Sequence, residues 1–548
     1  MDLRLSKKYD ELSHRLSVME GKRSSWESLW QRIAELADPK NATFTVERTF
    51  GQIDKGQRKT DSTLALTVPK WANAMDGLTT PKTQKWHGLT ITDTDLADKY
   101  RDYFEACRDV LFSIRYGAGS NFSSANNENL KMIGFYGNGP FSVTENYGKG
   151  INYKAWPVQE FFVEQNNLGD IDVFFRKFTL NTRQALQEFG EHTPADIKKC
   201  DKLDKEWQFL MAVYPNTDYT PGRFDGAKKK FACDYLCLTT KEVVLQSGFD
   251  VCPFCYPRYD VLPNLQDPYG YSPTMLLLPE IKKLASMGRS NLRVAGRASD
   301  PTYLMADEDI IGVDRVGMPN ALIPGGLDAN GRPRVQALQN PGQLPFSLEM
   351  LQDMRQLIRE GFDMNLFATM INKPDMTATE VLQRQQETAV LVGPTTSRRE
   401  REFLSHVIAK EFEIAMRAGQ LPPMPPELAE ALSAGQAEFQ IEYESPIRRA
   451  QEADSGTAIM RTLEVAGALA PFDPSIKNQI NAGRVLKEVA KVFGAPSKIF
   501  NTDEEKEALD ASDAQMAQAQ QMLEAAPVMS QSAKDLAAAQ AATGAELR

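Results

Sequence analysis

The chain has 548 residues, more than one hydrophobic core ordinarily serves, so two or more structural regions are expected. Its 42% hydrophobic and 25% charged residues are the composition of a folded globular protein, and a net charge of -10 argues against coating nucleic acid through a broad basic surface. No apolar run reaches about 18 residues and the opening MDLRLSKKYDELSHRL is charged throughout, which argues against a membrane span and a signal peptide and for a soluble protein made in the cytoplasm.

In chain order, Tyr9, Leu12, Leu16 and Met19, then Trp26, Leu29, Ile33 and Leu36, recur at three- and four-residue spacing and predict a helix closing at Asp38-Pro39. A second helix is predicted through Leu64, Val68, Trp71, Met75 and Leu78 with a kink at Pro69, and a third through Leu96, Tyr100, Phe104, Cys107, Leu111 and Ile114. From about residue 140 the texture turns to strands, with FSVTENY, FFVEQ, IDVFFRKF, WQFLMAVYP, KKFACDYLCL and EVVLQSGF separated by Gly, Asn and Pro turns. Short helical signals (TRQALQEF, ADIKKC) interrupt them, so the fold class is α+β and mainly α.

A long helix starts near Ser272 and carries Leu277, Ile281, Leu284 and Leu292 on one line. A Gly- and Pro-rich stretch with short extended pieces follows, and SLEMLQDMRQLIREGFDMNLFATM returns to helix. Thr377-x-x-Glu380 is a capping box that starts another helix, Gly393-Pro394 stops it, and the next helix aligns Phe403, Val407, Ile408, Phe412, Ala415 and Met416 before ending at Gly419. FQIEYES reads as a strand, two helical stretches run to about Phe500, and the Ala- and Gln-rich remainder lacks aromatic residues.

The order of these segments, to about residue 505, resembles the portal, or head-to-tail connector, family of short-tailed bacteriophages. The stretches that carry the resemblance are WANAMDGLTTPKTQKWHGL, NFSSANNENLKMIGFYGNG, WPVQEFFVEQNNLGDIDVFFRKFTLNTRQALQEFG, DPYGYSPTMLLLPEIKKL, MTATEVLQRQQE, VGPTTSRREREFLSHVIAKEFEIAMRAGQLP and IEYESPIRRAQ. It implies a portal fold with wing, stem, clip and crown: residues 1–271 a wing, 272–298 and 346–370 two stem helices, 299–345 a clip between them, 371–419 a tunnel loop and wing helices, 420–505 a crown and 506–548 a tail. It also implies a homo-oligomeric, dodecameric ring at the capsid vertex of the virion. Such a ring packages and ejects double-stranded DNA, has no catalytic residues and no cofactor, and meets the terminase large subunit, major capsid and scaffolding proteins, and tail adaptor proteins.

No Gly-x-x-x-x-Gly-Lys-[Ser/Thr] loop is present and Gly137-x-Gly139 runs into Pro140, so ATP binding is not expected. Candidate DNA contacts are Lys282, Arg289, Arg293 and Arg297, whose spacings of seven, four and four place them on one helical face, and Lys373, held in a turn by Pro374. Such a line also fits an interface, paired with Glu349, Asp353 or Asp363 of a neighbouring subunit. Cys233, Cys237, Cys252 and Cys255 have a spacing that zinc could use, although alternation in a strand-like run favours small buried hydrophobes. Trp71, Trp86, Phe161, Phe162, Phe174 and Phe175 coincide with apolar periodicity and read as core, not as stacking platforms. Two other functions remain in view: a ring-forming tail or adaptor protein, and a zinc-stabilised nucleic-acid-processing protein.

Overall fold

Strand signals in the middle of the chain build one five-stranded antiparallel sheet in the order β4-β5-β6-β7-β8, formed by β4 (Phe161–Gln165), β5 (Ile171–Asn181), β6 (Glu206–Pro215), β7 (Phe231–Cys237) and β8 (Glu242–Phe249). In the computed structural model the described residues are 3–38, 43–45, 61–146, 150–219, 228–263, 267–299, 303–305, 326–327, 330–337, 344–365, 393–434, 439–444 and 446–469, with a few single residues and pairs between 480 and 516. Two compact units divide the chain, one of residues 1–99 and 103–451, the other of residues 100–102 and 452–548.

Both faces of the five-stranded sheet are covered, which is why its strands read as nearly continuous apolar runs. Phe162, Val173, Phe175, Leu210, Ala212 and Leu236 point to one face, where Leu12, Leu16 and Met19 of helix α1 (Leu3–Ala37) cover them. Val163, Phe174, Met211, Val213 and Cys233, which alternate with them along the strands, point to the other face and join the largest core, together with Trp26, Trp30 and Ile33 from the second half of α1. A single 35-residue helix thus serves two cores. Cys233 and Leu236, three residues apart on β7, fall on opposite faces by the ordinary alternation of a strand.

Helix α2 (Thr63–Thr79) runs through Pro69 and buries Leu64, Val68, Trp71, Ala72 and Met75. The third predicted helix is two, α3 (Thr94–Lys99) and α4 (Arg101–Tyr116), divided at Tyr100. Before them, β1 (His87–Ile91) had no sequence expectation; it pairs antiparallel with the FQIEY strand, β12 (Phe439–Tyr443). Helix α5 (Phe122–Tyr136) precedes the sheet β3-β2-β9, made of β2 (Phe141–Asn146), β3 (Gly150–Ala155) and β9 (Phe254–Cys255).

The helical interruptions in the strand region are α6 (Thr182–Phe189) and α7 (Ala195–Lys198). Asn181 accepts from the backbone of Gln184 while the Gln184 side chain accepts from Asn181, a full capping box. The helix expected from Ser272 is α8 (Pro273–Leu276) followed by α9 (Leu278–Ser299). Beyond it β10 (Tyr303–Met305) pairs with β11 (Val335–Ala337), which brings the two ends of the Gly- and Pro-rich insertion together.

Helix α10 (Leu344–Glu360) is interrupted by a turn in which Asp363 takes a left-handed φ of 53°; residues 364–365 are helical again, and the rest of the stretch expected to 370 lies outside the described residues. Residues 393–399 are helical and lead through a π-helical turn at Glu400–Leu404 into α11 (Ser405–Arg417), while the helix expected to stop at Gly393-Pro394 lies outside the described residues. Gly419, at φ 63°, closes that end as predicted. After α12 (Pro426–Ser433) and β12, α13 (Pro446–Leu469) is the last helix whose span is described. The capping box at Thr377, the helical stretch toward Phe500 and the Ala/Gln-rich tail lie outside the described residues, apart from the few single positions noted.

Candidate functional site

Polar joints bring together, in the interior, stretches that stand far apart in the sequence. Helix α5 ends at Gly137, whose φ of 74° needs glycine and whose missing Cβ leaves room for the backbone of Gly270 and Tyr271. Asn138 donates to the carbonyls of Tyr136 at 2.7 Å and Gly270 at 3.0 Å, and accepts from the Gly270 amide at 2.8 Å. Ser272 caps α8 by accepting from the Met275 amide and donates to the Phe135 carbonyl at 2.9 Å, while Thr274 donates to Gly134 at 2.8 Å. The root of the long α8–α9 helix is therefore bolted to the end of α5.

A second joint surrounds Asn126 of α5, which donates to Asp76 of α2 at 2.6 Å and to Thr80 at 3.0 Å and accepts from the buried guanidinium of Arg399. Burial pushes the Arg399 pKa down to about 10, with Asp76 opposing the shift, and among the described residues its Nε and Nη1 find no acceptor. In the third joint Arg115 grips Glu411 with Nε and Nη2, Tyr153 donates to the same carboxylate at 2.6 Å, and Arg115 Nη1 stands 2.8 Å from His87 Nε2. Arg115 and Glu411 are both buried and the guanidinium lies 4.6 Å from the Trp86 ring centre. In the fourth, Glu402 on the π-helical turn takes Arg258 Nη2 at 2.7 Å and the Arg258 amide at 2.9 Å. The run 393–417 supplies Arg399, Glu402 and Glu411, so three of the four joints hold that run in place.

The first joint satisfies buried neutral polar groups, and the other three pair or hydrogen-bond charged groups that the interior covers. Sequence reasoning missed them all, since Arg115 and Glu411 are almost 300 residues apart with no spacing to link them (|i−j| = 296).

The candidate DNA contacts fall on α9. Its inner stripe, Leu277, Leu278, Ile281, Leu284 and Ala285, is buried with Leu351, Ile358 and Phe362. Leu277 touches Gly361 and Ile281 shares a small cavity wall with Ile358, so the start of α9 meets the end of α10 and the two helices run antiparallel. Lys282, Arg289, Arg293 and Arg297 are exposed beside that stripe. Glu349 and Asp353 are exposed on α10, whereas Asp363 lies past its end in the left-handed turn. Lys373 lies outside the described residues.

Among the described residues no group of three or more His, Cys, Asp or Glu is placed to hold a metal ion, and the four cysteines of the zinc alternative are spread over three cores. Cys233 and Cys252 belong to the largest core, Cys255 to the core around Trp86 and Phe403, and Cys237 to the core around Trp207. Burial raises the Cys252 thiol to about 12 and lifts Cys233 and Cys255 further, as for small hydrophobes packed in a core. Trp71, Trp86, Phe161, Phe162, Phe174 and Phe175 are all buried, as core residues should be.

Comparison with known proteins gives the context for these joints. The family described as "Bacteriophage head to tail connecting protein" matches residues 9–500. The "Portal protein" of Salmonella phage epsilon15 is 24% identical over 97% of this chain and 96% of the relative. The "Probable portal protein" of Bordetella phage BPP-1 is 23% identical over 89% of this chain and 88% of the relative.

Proposed function

We propose, from the premise that this chain belongs to the bacteriophage head to tail connecting protein family, that it is a portal: its copies close into a ring at one capsid vertex, through which double-stranded DNA enters and leaves. The observation that carries this reading is the extent of the match, residues 9–500, which takes in both the sheet region and the α9–α10 pair. The role is structural. The ring gives the terminase motor a place to dock during packaging and the tail proteins a place to dock afterwards, and it joins capsid and scaffolding proteins during assembly.

Within that reading, α9 and α10 are the stem and the insertion closed by β10 and β11 is the clip. The sheet region with 393–417 is the wing, and 420–505 is the crown. The antiparallel contact of α9 with α10 supports the stem, because a helix pair that shares one apolar stripe is stiff along its length. A ring admits the cationic line of α9 in two places, toward the bore against phosphates or toward the next copy against carboxylates. In either place it reads no bases, and packaging must accept any sequence.

The test is electron microscopy of the purified full-length protein together with its mass by light scattering. Closed rings with a central hole and a mass of about twelve chains are expected, because a heterologous interface closes only at a set rotation. A stable monomer under all conditions, or rings without a stem, overturns the reading, the latter in favour of a tail or adaptor ring.

A further inference from the structure

We propose that the ring seam runs between α9 of one copy and α10 of the next, with the basic flank of the first helix facing an acidic flank of the second. This rests on the ring reading above and assigns its subunit contact. Helix α10 carries Glu349, Asp353 and Glu360, all exposed and spaced four and seven residues apart, which sets them on one side of the helix. Lys282, Arg289, Arg293 and Arg297 on α9 follow the same rule with spacings of seven, four and four. The two helices of one chain therefore present opposite charges on exposed flanks, the arrangement a head-to-tail contact between identical copies needs.

The apolar residues agree. On α10, Met350 is 40% and Leu357 45% exposed. Met350 and Leu357, seven residues apart, lie directly beside the acidic line. An exposed apolar strip rimmed by charge is what a subunit contact looks like before its partner arrives. A wall of the bore has no need of it: methionine and leucine contribute nothing to sliding phosphates, whereas between two helices they supply the apolar burial and the charges set the register.

Two full-length variants test this. One carries Glu349→Lys, Asp353→Lys and Glu360→Lys, so both flanks are basic; the other carries Arg289→Glu, Arg293→Glu and Arg297→Glu, so both are acidic. Each alone is expected to form at least about tenfold fewer rings than the parent, because like charges meet across every seam. Mixed in equal amounts, they are expected to recover rings of alternating copies, and recovery should weaken as salt rises. If either variant alone closes rings as well as the parent, or if two variants with parental circular dichroism and melting fail to recover rings on mixing, the seam is elsewhere. Intact rings from the acidic variant that retain less DNA would place the line in the bore and likewise overturn the proposal. A parent that forms no rings counts against the portal reading itself.

Discussion

Glu411 holds more of the interior than its position suggests. Its carboxylate accepts from Arg115 twice and from Tyr153, all of them buried, so removing it strands a guanidinium in a low-dielectric core. Glu411→Ala is expected to lower stability by about 3–5 kcal/mol, read as a large drop in melting temperature, while Tyr153→Phe costs about 1 kcal/mol. Replacing Arg115 and Glu411 together by Met and Leu should cost far less than either single change, since no charge is then left unpaired.

His87 belongs to the same joint. Burial first, then the nearby Arg115 and Arg108, hold its pKa well below 6.5, because a second cation against Arg115 is unfavourable. In the folded chain the imidazole stays neutral and accepts from Arg115, while the unfolded chain binds a proton below about pH 6.5. This contribution is therefore complete above pH 6.5 and is lost as pH falls, at up to about 1.4 kcal/mol per pH unit. Melting temperature measured from pH 7.5 to 5 should fall less steeply for His87→Gln than for the parent.

At the scale of elements, Gly137 makes the sharpest prediction. Gly137→Ala adds a Cβ against Gly270 and Tyr271 at a residue already left-handed, and should destabilise by about 2 kcal/mol or more by thermal unfolding. Gly419, equally left-handed but with open space around it, should tolerate alanine at about 1 kcal/mol and serves as the control.

The same scale shows how much the sequence revealed. The five long strands were legible because each is an apolar run between turn residues, and α9 because its stripe repeats every three to four residues. His87–Ile91 was not, since five residues with only Leu89 and Ile91 strongly apolar form a strand only by pairing with Phe439–Tyr443. Tyr100 and Asp363 interrupt helical patterns where composition gives no warning, Asp363 through a left-handed turn. The basic line on α9 was visible, yet the exposure of Met350 and Leu357 beside the acids of α10 was not, because burial is decided by residues distant in the chain.

For the whole molecule, the resemblance in the sequence and the match over residues 9–500 agree on the family. The stretches that carry the resemblance contain no catalytic motif, and the fold explains why they are still distinctive. WANAMDGLTTPKTQKWHGL, NFSSANNENLKMIGFYGNG, DPYGYSPTMLLLPEIKKL and VGPTTSRREREFLSHVIAK contribute Asp76, Asn126, Ser272 and Arg399 to two joints around α5. In these stretches the residue types are set by connections between elements distant in the chain.

The pairing of β1 with β12 also sets a timetable. About 350 residues separate Ile91 from Phe439, so at about 5–20 residues per second a ribosome needs roughly 20–70 s to make the second strand after the first. Until then the earlier strand has no partner, and a product cut short before Phe439 never gains one. Copies cut short before Phe439 are therefore expected to melt lower than complete chains, which thermal unfolding of a chain ended before Phe439 would show.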